Sequence, residues 1–262
     1  MQNTHQIYHK SVVYGILFIL LIPIAATFAY ALSARWGASI LPEGFTLHWY
    51  IQLLSDPRFL AAFGRSLFVC LSALLLATVL ILPMIFVIFY YYPKLDKVMN
   101  ILILLPFAVP PVVSSVGLLQ RYADSDIVLV GTPWILIGTN FTIALPFMYR
   151  AIANNMMAIH LRDLIDAAHL LGASTTKAFW YIILPNLKKG LMASLFLSFS
   201  FLLGEFVFAN ILVGTRYETL QVYLYNMRQT SGHFTSALVM TYFLFIFICT
   251  WLASRFNRGV QL

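Results

Sequence analysis

Charged side chains are scarce in this sequence, and that scarcity decides the class of protein. Only 10% of the 262 residues are Asp, Glu, Lys or Arg, whereas 61% are hydrophobic and the mean hydropathy is +0.86. A soluble domain carries about 25% charged residues. The composition therefore excludes an ordinary soluble domain and predicts a polytopic membrane protein whose apolar surface faces lipid.

Residues and motifs for covalent or metal chemistry are equally sparse. The two cysteines, Cys70 and Cys249, fall in apolar runs and are expected to be small buried hydrophobes. The sequence has no G-x-x-x-x-G-K-[ST] loop for ATP phosphates and no H-E-x-x-H zinc motif. His5 and His9 have helical spacing but no third ligand nearby. We predict that this chain has no catalytic residue, no cofactor and no metal site.

Long uncharged runs are what the sequence has instead. A helix needs about 20 apolar residues to cross the hydrocarbon. Six runs qualify: 11–32, 66–92, 98–120, 127–149, 190–215 and 234–254. The first lacks a cleavage site and is expected to be retained. The sequence therefore predicts an all-α integral membrane protein of six transmembrane helices, one domain over 1–262, with core spans in about 60–255.

The distribution of positive charge predicts the orientation of these spans. Six spans place both termini on one side, and one side of the membrane then receives most of the Lys and Arg residues. These are Lys10, Lys94, Lys97, Arg150, Arg162, Lys177, Lys188, Lys189, Arg255 and Arg258. By the positive-inside rule that side is the cytoplasm. The net charge of +7 is thus explained by topology, and no nucleic-acid partner is expected.

Two segments between the spans are too long for turns. On the outer side, the stretch GFTLHWYIQLL offers Thr46 as the N-cap of a short amphipathic helix with aromatics at the membrane interface. Asp56 and Pro57 then provide a cap and a first helical residue for the second span. On the inner side, the segment 150–189 carries apolar residues at one-face helical spacing, namely Leu161, Leu164, Ile165, Ala168 and Leu171.

This inner helix is too short to span the membrane and is followed by a glycine. Gly172 stands where a helix end favours a left-handed residue, and Ser174 stands where a second helix wants an N-cap. The second helix runs through Phe179 toward Pro185. The predicted motif is thus two helices joined at a glycine corner. Three roles are open for it: an interfacial helix on lipid headgroups, packing within the bundle, or docking into a groove on a partner protein.

The same segment resembles the EAA loop of type I ABC importer permeases. The resemblance is carried by Asp166-Ala167-Ala168, then Leu171-Gly172-Ala173-Ser174, then Phe179 and Ile183-Leu184-Pro185. Asp166 stands where the family usually has Glu, and Lys188 and Lys189 replace apolar residues before Gly190. Residues 44–67 and LPFAVPPVVSSVGLL in the third span are similar to the branch that handles polyamines, aminoalkylphosphonates and ferric iron.

The resemblance implies an inner-membrane subunit of an importer with several partners. These would be two ATP-binding cassette subunits that bind ATP and Mg²⁺, a second permease subunit, identical or different, and an extracytoplasmic solute-binding protein. The loop would be the coupling helix, with ATPase-coupling residues Asp166, Ala167, Ala168, Leu171, Gly172, Ala173, Ser174 and Pro185. ATP-driven closure of the partner would then switch the membrane cavity between inward-facing and outward-facing states.

Two features inside the spans are candidates for the translocation path or gate. Pro106, Pro110 and Pro111 break the third span, with Ser114 nearby; a packing kink is an equal alternative. Glu205 is the one ionisable residue well inside a span, with Asn210 close in sequence. It could contact a cationic solute, line the gate, or be a hydrogen-bonded structural acid.

Two other classes of protein compete with the importer subunit. A membrane-embedded lipid-modifying enzyme should cluster acids or histidines at one interface, and this sequence does not. A freestanding channel or secondary carrier would not need the inner helix, and carriers often show half-repeats that are absent here. The expected substrate is a small polar solute, and its identity is not determined by the sequence.

Overall fold

The fold, taken from a computed structural model, is described for residues 2–37, 39 and 41–258, with side chains except those of 2–8, 189 and 256–258. Within this range the regular structure is helical, apart from one antiparallel bridge between Ser33 and Phe45. The α-helices are α1 (Gln2–Leu32), α2 (His48–Leu54), α3 (Pro57–Tyr91), α4 (Leu95–Leu102), α5 (Leu105–Ala108), α6 (Pro111–Tyr122), α7 (Pro133–Ala158), α8 (Leu161–Leu170), α9 (Thr175–Ala178), α10 (Leu184–Leu203), α11 (Leu220–Met227) and α12 (Gly232–Arg258). Two π-helical segments, Phe179–Ile183 and Ala209–Val213, adjoin these helices.

The helices confirm the predicted all-α membrane fold. Four are long and apolar enough to cross a bilayer: His9–Leu32, Pro57–Tyr91, Pro133–Ala158 and Gly232–Arg255. Two bent pairs add up to two further crossings. Leu95–Ala108 meets Pro111–Tyr122 at 84°, and Thr175–Lys188 meets Gly190–Leu203 at 58°. The predicted total of six is reached only if each bent pair makes one crossing, so six remains a prediction.

The predicted fourth and fifth spans have different bounds in the structure. α7 begins at Pro133, six residues after the predicted start, because Gly131 takes a positive φ of 82° and Thr132 is extended. Proline is favoured at the first helical position, where its missing N–H is not needed. The predicted run 190–215 is also not one helix, since α10 ends at Leu203. Apolar composition marked these runs correctly but could not place helix ends inside them.

The chain divides into two compact units, of which the first comprises residues 1–60 and 224–245. In this unit two aromatic side chains form a cluster with His233. The His233 ring stacks on the Tyr30 ring at 4.1 Å and on the Trp49 ring at 5.5 Å between centroids. The Thr46 hydroxyl accepts the His48 N–H at 3.0 Å, although the N-cap position itself is Leu47, so the predicted cap was off by one residue. Asp56 accepts the Arg58 N–H at 2.8 Å, which confirms the predicted cap of α3.

The second unit comprises residues 61–223 and 246–262 and contains every candidate site residue. Its core is built around α7 and α10, which pack along each other. Tyr149, fully buried on α7, donates its hydroxyl hydrogen to Asp96 at the start of α4 at 2.8 Å. Ser66 on α3 accepts the N–H of Leu220 at 2.8 Å. These two hydrogen bonds tie α7 to α4 and α3 to the start of α11.

Candidate functional site

The helix and glycine corner predicted from 161–174 is present, and we call residues 161–178 the Gly172 corner. α8 ends at Leu170, and Gly172 has a φ of 80°. The Gly172 N–H donates to His169 O at 2.9 Å and the Ala173 N–H donates to Ala168 O at 2.9 Å. These two bonds form a Schellman motif, which satisfies the last carbonyls of a helix.

The second arm of the corner begins with the predicted serine cap. Ser174 is extended, with a ψ of 159°, and its hydroxyl accepts the Lys177 N–H at 3.4 Å. Across the corner, the His169 imidazole lies 3.1 Å from the Thr175 hydroxyl. The two arms are therefore joined by side-chain contacts as well as by the glycine.

One side of α8 packs on the bundle and the other is exposed. Leu161, Ile165 and Ala168 are buried, in agreement with the predicted apolar face. Leu171 was placed on that face as well, and this was wrong: its side chain is 89% exposed, and that of Leu170 is 90% exposed. In a Schellman motif the residue that folds back is the one after the glycine, here Ala173, so Leu171 points away from the bundle.

The helical path continues without a loop from Thr175 to Leu203, through the π-helical segment Phe179–Ile183. Phe179 and Ile183 are buried, and the Phe179 ring meets the Phe86 ring edge-on at 4.9 Å. Pro185 follows directly in the first turn of α10. A proline cannot donate to the preceding turn and crowds its carbonyl, and the wider π turn relieves that conflict. Pro185 thus follows the corner in the chain and belongs to the first turn of α10.

Gly190 lies on the side of α10 that faces Asn155 of α7. A Cβ atom at this position would overlap the side chain of Asn155. Asn155 is itself held by a 2.7 Å hydrogen bond from Nδ2 to Ala151 O. At position 190 a glycine is therefore needed because of space. At Gly172 the space around a Cβ would be open, and the restriction is instead the left-handed backbone angle.

The predicted break of the third span is more complete than a kink. The chain is extended at Val109 and Pro110, with ψ values of 125° and 137°, and Pro111 opens α6 as its first residue. The Ser115 hydroxyl donates to Pro111 O at 2.7 Å, and the Ser114 N–H donates to Pro110 O at 3.1 Å. Ser115, more than Ser114, thus uses its side chain to satisfy a carbonyl at the break.

A second break, which the sequence did not predict, occurs at residues 204–206, and we call it the Glu205 break. α10 ends at Leu203, and Glu205 lies in the non-helical turn before the next helical segment. Its two carboxylate oxygens accept the N–H groups of Phe208 at 2.7 Å and Ala209 at 3.1 Å. The carboxylate therefore caps the segment that follows, which is the structural role left open for it.

A cavity of about 820 Å³ lies between the two breaks and brings together part of the predicted path. Pro106, Pro111, Ser114 and Glu205 line it, whereas Pro110 does not. Asn210 lines a different cavity of about 520 Å³ beside Arg216. Sequence reasoning missed the remaining walls of the larger cavity, which combine aliphatic side chains with aromatic rings and a few hydroxyls. The aromatic and hydroxyl residues are Phe107, Tyr122, Trp134, Thr139, Thr142, Ser200, Phe201, Phe206 and Phe208.

These walls come from mostly apolar stretches of their helices, so no sequence signal separates a cavity-facing aromatic from a lipid-facing one. A volume of this size accommodates a small solute. Among the described residues no group of three His, Cys, Asp or Glu side chains is placed to hold a metal ion. Membrane-length helices, a broken-helix cavity and an exposed corner helix together define a membrane transport subunit.

Comparison with known proteins identifies the family. Residues 80–262 match the family of binding-protein-dependent transport system inner membrane components, and the chain belongs to it. It is a permease subunit of an ABC importer, and its place is the inner membrane. This family membership excludes the competing classes of membrane enzyme and freestanding carrier.

Individual relatives have related names. PhnV of Salmonella typhimurium strain LT2, named for a 2-aminoethylphosphonate transport system permease, is 28% identical over 225 residues, covering 82% of this chain and 81% of PhnV. PotC of Escherichia coli K12, a spermidine/putrescine transport system permease protein, is 29% identical over 197 residues, covering 74% and 72%.

Solved structures share the fold. A chain of a bacterial ABC transporter involved in the import of the acidic polysaccharide alginate superposes with a TM-score of 0.71 at 15% identity, covering all of both chains. A chain of the MetNI methionine ABC transporter in an inward-facing conformation gives a TM-score of 0.59 at 18% identity, covering 79% of this chain and all of the other.

Proposed function

We propose that the Gly172 corner is the coupling helix, held in a cleft on a separate ATPase subunit that supplies the energy for import. The observation that carries this proposal is the exposed pair Leu170 and Leu171 at the end of α8. Apolar side chains that stand out at a helix end, next to exposed Asp166 and Ala167, form a compact surface for a partner groove. Trp180 and Tyr181, 57% and 80% exposed, extend this surface below the corner.

The corner is also built to transmit force. Its buried face holds it to the bundle. The helical path from Thr175 to Leu203 leads from the corner to the Glu205 break without a loop, with a bend of 58° between its two halves. A push on the corner is therefore passed along a continuous helical element to the cavity wall. Two ATPase subunits, each binding ATP and Mg²⁺, would act on this chain and on a second permease subunit.

The proposed topology has six crossings, with each bent pair making one, and both termini in the cytoplasm. The charge distribution supports it, because the N-terminal Lys10, the Lys94 and Lys97 pair and the corner with Arg162 and Lys177 then share the cytoplasmic side. The corner would face the ATPase, and the loops at the opposite ends would face an extracytoplasmic solute-binding protein.

The cavity of about 820 Å³ is the proposed half of the translocation path in this chain. Its walls contain the ends of broken helices, which are tolerated at membrane depth where they line a cavity. A small polar solute, such as the aminoalkylphosphonate and polyamine of the relatives' names, fits a path of this size.

The test of this function is the double substitution Leu170→Asp with Leu171→Asp. We expect that the affinity-tagged permease no longer copurifies the ATPase subunit with which it is coexpressed, because two charges would enter the proposed apolar cleft. The membrane level of the permease should stay unchanged, since neither side chain is buried.

A control is Leu41→Asp, which places one of these charges on an exposed leucine in the loop that the proposed topology assigns to the outer side. It should leave the ATPase bound. Retention of the ATPase by the double variant at normal yield would contradict the proposal.

A further inference from the structure

We propose that the smaller cavity, of about 520 Å³, is an anion subsite in which Arg216 receives an oxyanion group of the transported solute. This inference rests on the proposed function, because it assigns a substrate class to the outer part of the same path. The cavity is lined by residues of α6, of the loop that follows α6, of the π-helical segment Ala209–Val213 and of the turn after that segment. Tyr122 lines both this cavity and the larger one, so the two adjoin.

Arg216 has no carboxylate partner among the residues that the structure describes. No Asp or Glu side chain in the described part of the chain lies within ion-pair distance of its guanidinium, and Asp124 and Asp126, although close in sequence to the wall residue Ser125, do not line the cavity. An arginine presents a rigid fork of donors that matches the oxygens of a phosphonate, sulfate or carboxylate. Its charge is therefore available to a ligand.

The backbone holds Arg216 in place against this cavity. Gly131, with a φ of 82°, lies beneath the arginine, and a Cβ added there would come within 3.0 Å of Arg216 Cδ. The Gly131 N–H donates to Leu212 O at 2.9 Å, and the Arg216 N–H donates to Val213 O at 3.1 Å. The loop before α7 and the turn carrying Arg216 are thus tied together, which positions the arginine stem.

Neutral polar groups line the same wall. The Asn210 amide, the Thr215 hydroxyl and the Tyr122 hydroxyl have no side-chain hydrogen-bond partner among the residues that the structure describes. A guanidinium with uncommitted donors around it is suited to a multidentate oxyanion. The larger cavity, in contrast, has no Lys or Arg in its wall and one carboxylate, which is committed to backbone N–H groups. The charge asymmetry indicates that the anionic end of the solute binds on the outer side.

The test measures the charge and the ligand of this cavity directly. The complete complex, reconstituted in nanodiscs, carries Val128→Cys in a background with Cys70→Ala and Cys249→Ala, because Val128 lines the cavity, is 75% exposed and has no polar side-chain group. Labelling rates are measured with an anionic and a cationic methanethiosulfonate reagent. Replacing Arg216 by Gln should lower the ratio of the anionic to the cationic rate by roughly threefold to tenfold, as expected for the loss of one nearby charge.

Protection by small probes identifies the ligand class. Methylphosphonate should slow labelling of the Arg216 protein and not of the Arg216→Gln protein, whereas ethylammonium should protect neither. Arg228→Gln is the matched control, because Arg228 is stacked 3.6 Å over the Tyr225 ring and does not line the cavity. An unchanged rate ratio in Arg216→Gln, or protection by ethylammonium alone, would overturn the inference.

Two further results separate this inference from its alternatives. If Arg216→Gln weakens capture of the solute-binding protein but leaves methylphosphonate protection intact, the arginine serves docking and the subsite is refuted. ATPase copurification is measured in the same preparations and should be normal in Arg216→Gln. If methylphosphonate gives no protection to the protein that retains Arg216, while ATPase copurification is normal, the subsite is overturned and the proposed function stands.

Discussion

At the Gly172 corner a hydroxyl caps the second helix at 3.4 Å, whereas at the Glu205 break a carboxylate caps the next helical segment through two N–H groups at 2.7 and 3.1 Å. Both sites end one helix and begin another within a few residues. The corner relies on a left-handed glycine, while Gly204 before the break has an ordinary right-handed φ of −85°.

The difference follows from the surroundings of the two sites. Corner residues such as Asp166 and Thr176 are exposed, and water can satisfy any N–H group that the serine leaves free. The Glu205 break lies among mostly apolar side chains, and Phe208 and Ala209, whose N–H groups the carboxylate accepts, are buried, so an unsatisfied backbone donor there would have little access to water. The buried break therefore needs a strong acceptor with two oxygens, the Glu205 carboxylate. At the exposed corner the weaker single acceptor of Ser174 is enough.

The largest effect is expected from Glu205→Ala, which removes the acceptor for two buried N–H groups. Each unsatisfied group costs about 1–3 kcal/mol, so we expect uptake into proteoliposomes to fall by at least about tenfold, with a lower midpoint of thermal unfolding. Glu205→Gln keeps one acceptor oxygen and should impair transport less, in a complex that still assembles. Ser200→Ala, in the wall of the same cavity, should have little effect. Equal uptake by Glu205→Ala and wild type would show that the carboxylate does not hold the break.

The next effect concerns α10, the helix that joins the two sites. Gly190→Ala should destabilise the protein by about 1–3 kcal/mol because the new methyl group overlaps Asn155. The midpoint of thermal unfolding in detergent is the measurement. Asn155→Ala alone should be mild, and the double variant should recover most of the loss. A double variant as unstable as Gly190→Ala would mean that the clash lies elsewhere.

A smaller effect is expected at Gly172, where the angle and not the space is restrictive. Gly172→Val must adopt a positive φ, at roughly 1–2 kcal/mol, so the corner should distort. We expect ATP hydrolysis uncoupled from uptake, or loss of the ATPase on purification. Gly172→Asn should be tolerated, since asparagine enters the left-handed region readily. Normal coupling in Gly172→Val would exclude a role for the corner angle.

The smallest effect is expected from Ser174→Ala. The bond it removes is long and exposed, and loss of such a cap costs about 0.5–1 kcal/mol. Ser174→Asp should restore the unfolding midpoint. If Ser174→Ala destabilised the protein as much as Glu205→Ala, the contrast between the exposed corner and the buried break would be wrong.

The same contrast explains what the sequence could predict. The corner was predicted at residue level because Gly172 and Ser174 act on their immediate neighbours, and short-range chemistry is visible in the sequence. Leu171 was misplaced because helical spacing was extended one residue past the end of α8. The end residue of a helix no longer follows its periodicity.

The Glu205 break was not predicted, because residues 190–215 are uniformly apolar around it. The one available signal was the Gly204-Glu205 pair, a small residue and an acceptor side by side where a continuous helix needs neither. The residues that line the cavity could not be predicted from the sequence either. Which side of α7 or α10 faces the cavity depends on packing between helices distant in sequence, and a membrane span hides that difference because both sides are apolar.

The π-helical segment Phe179–Ile183 sets the rotational phase between the corner and α10. Each residue of a helix turns the side chains by about 100°, and a π turn accommodates one residue more than an α turn. Removing a single apolar residue there would leave composition and hydropathy nearly unchanged. It would still swing Leu170 and Leu171 about a quarter of a revolution around the axis. The number of residues in this segment, more than their identity, thus sets the direction of the leucine pair relative to the larger cavity.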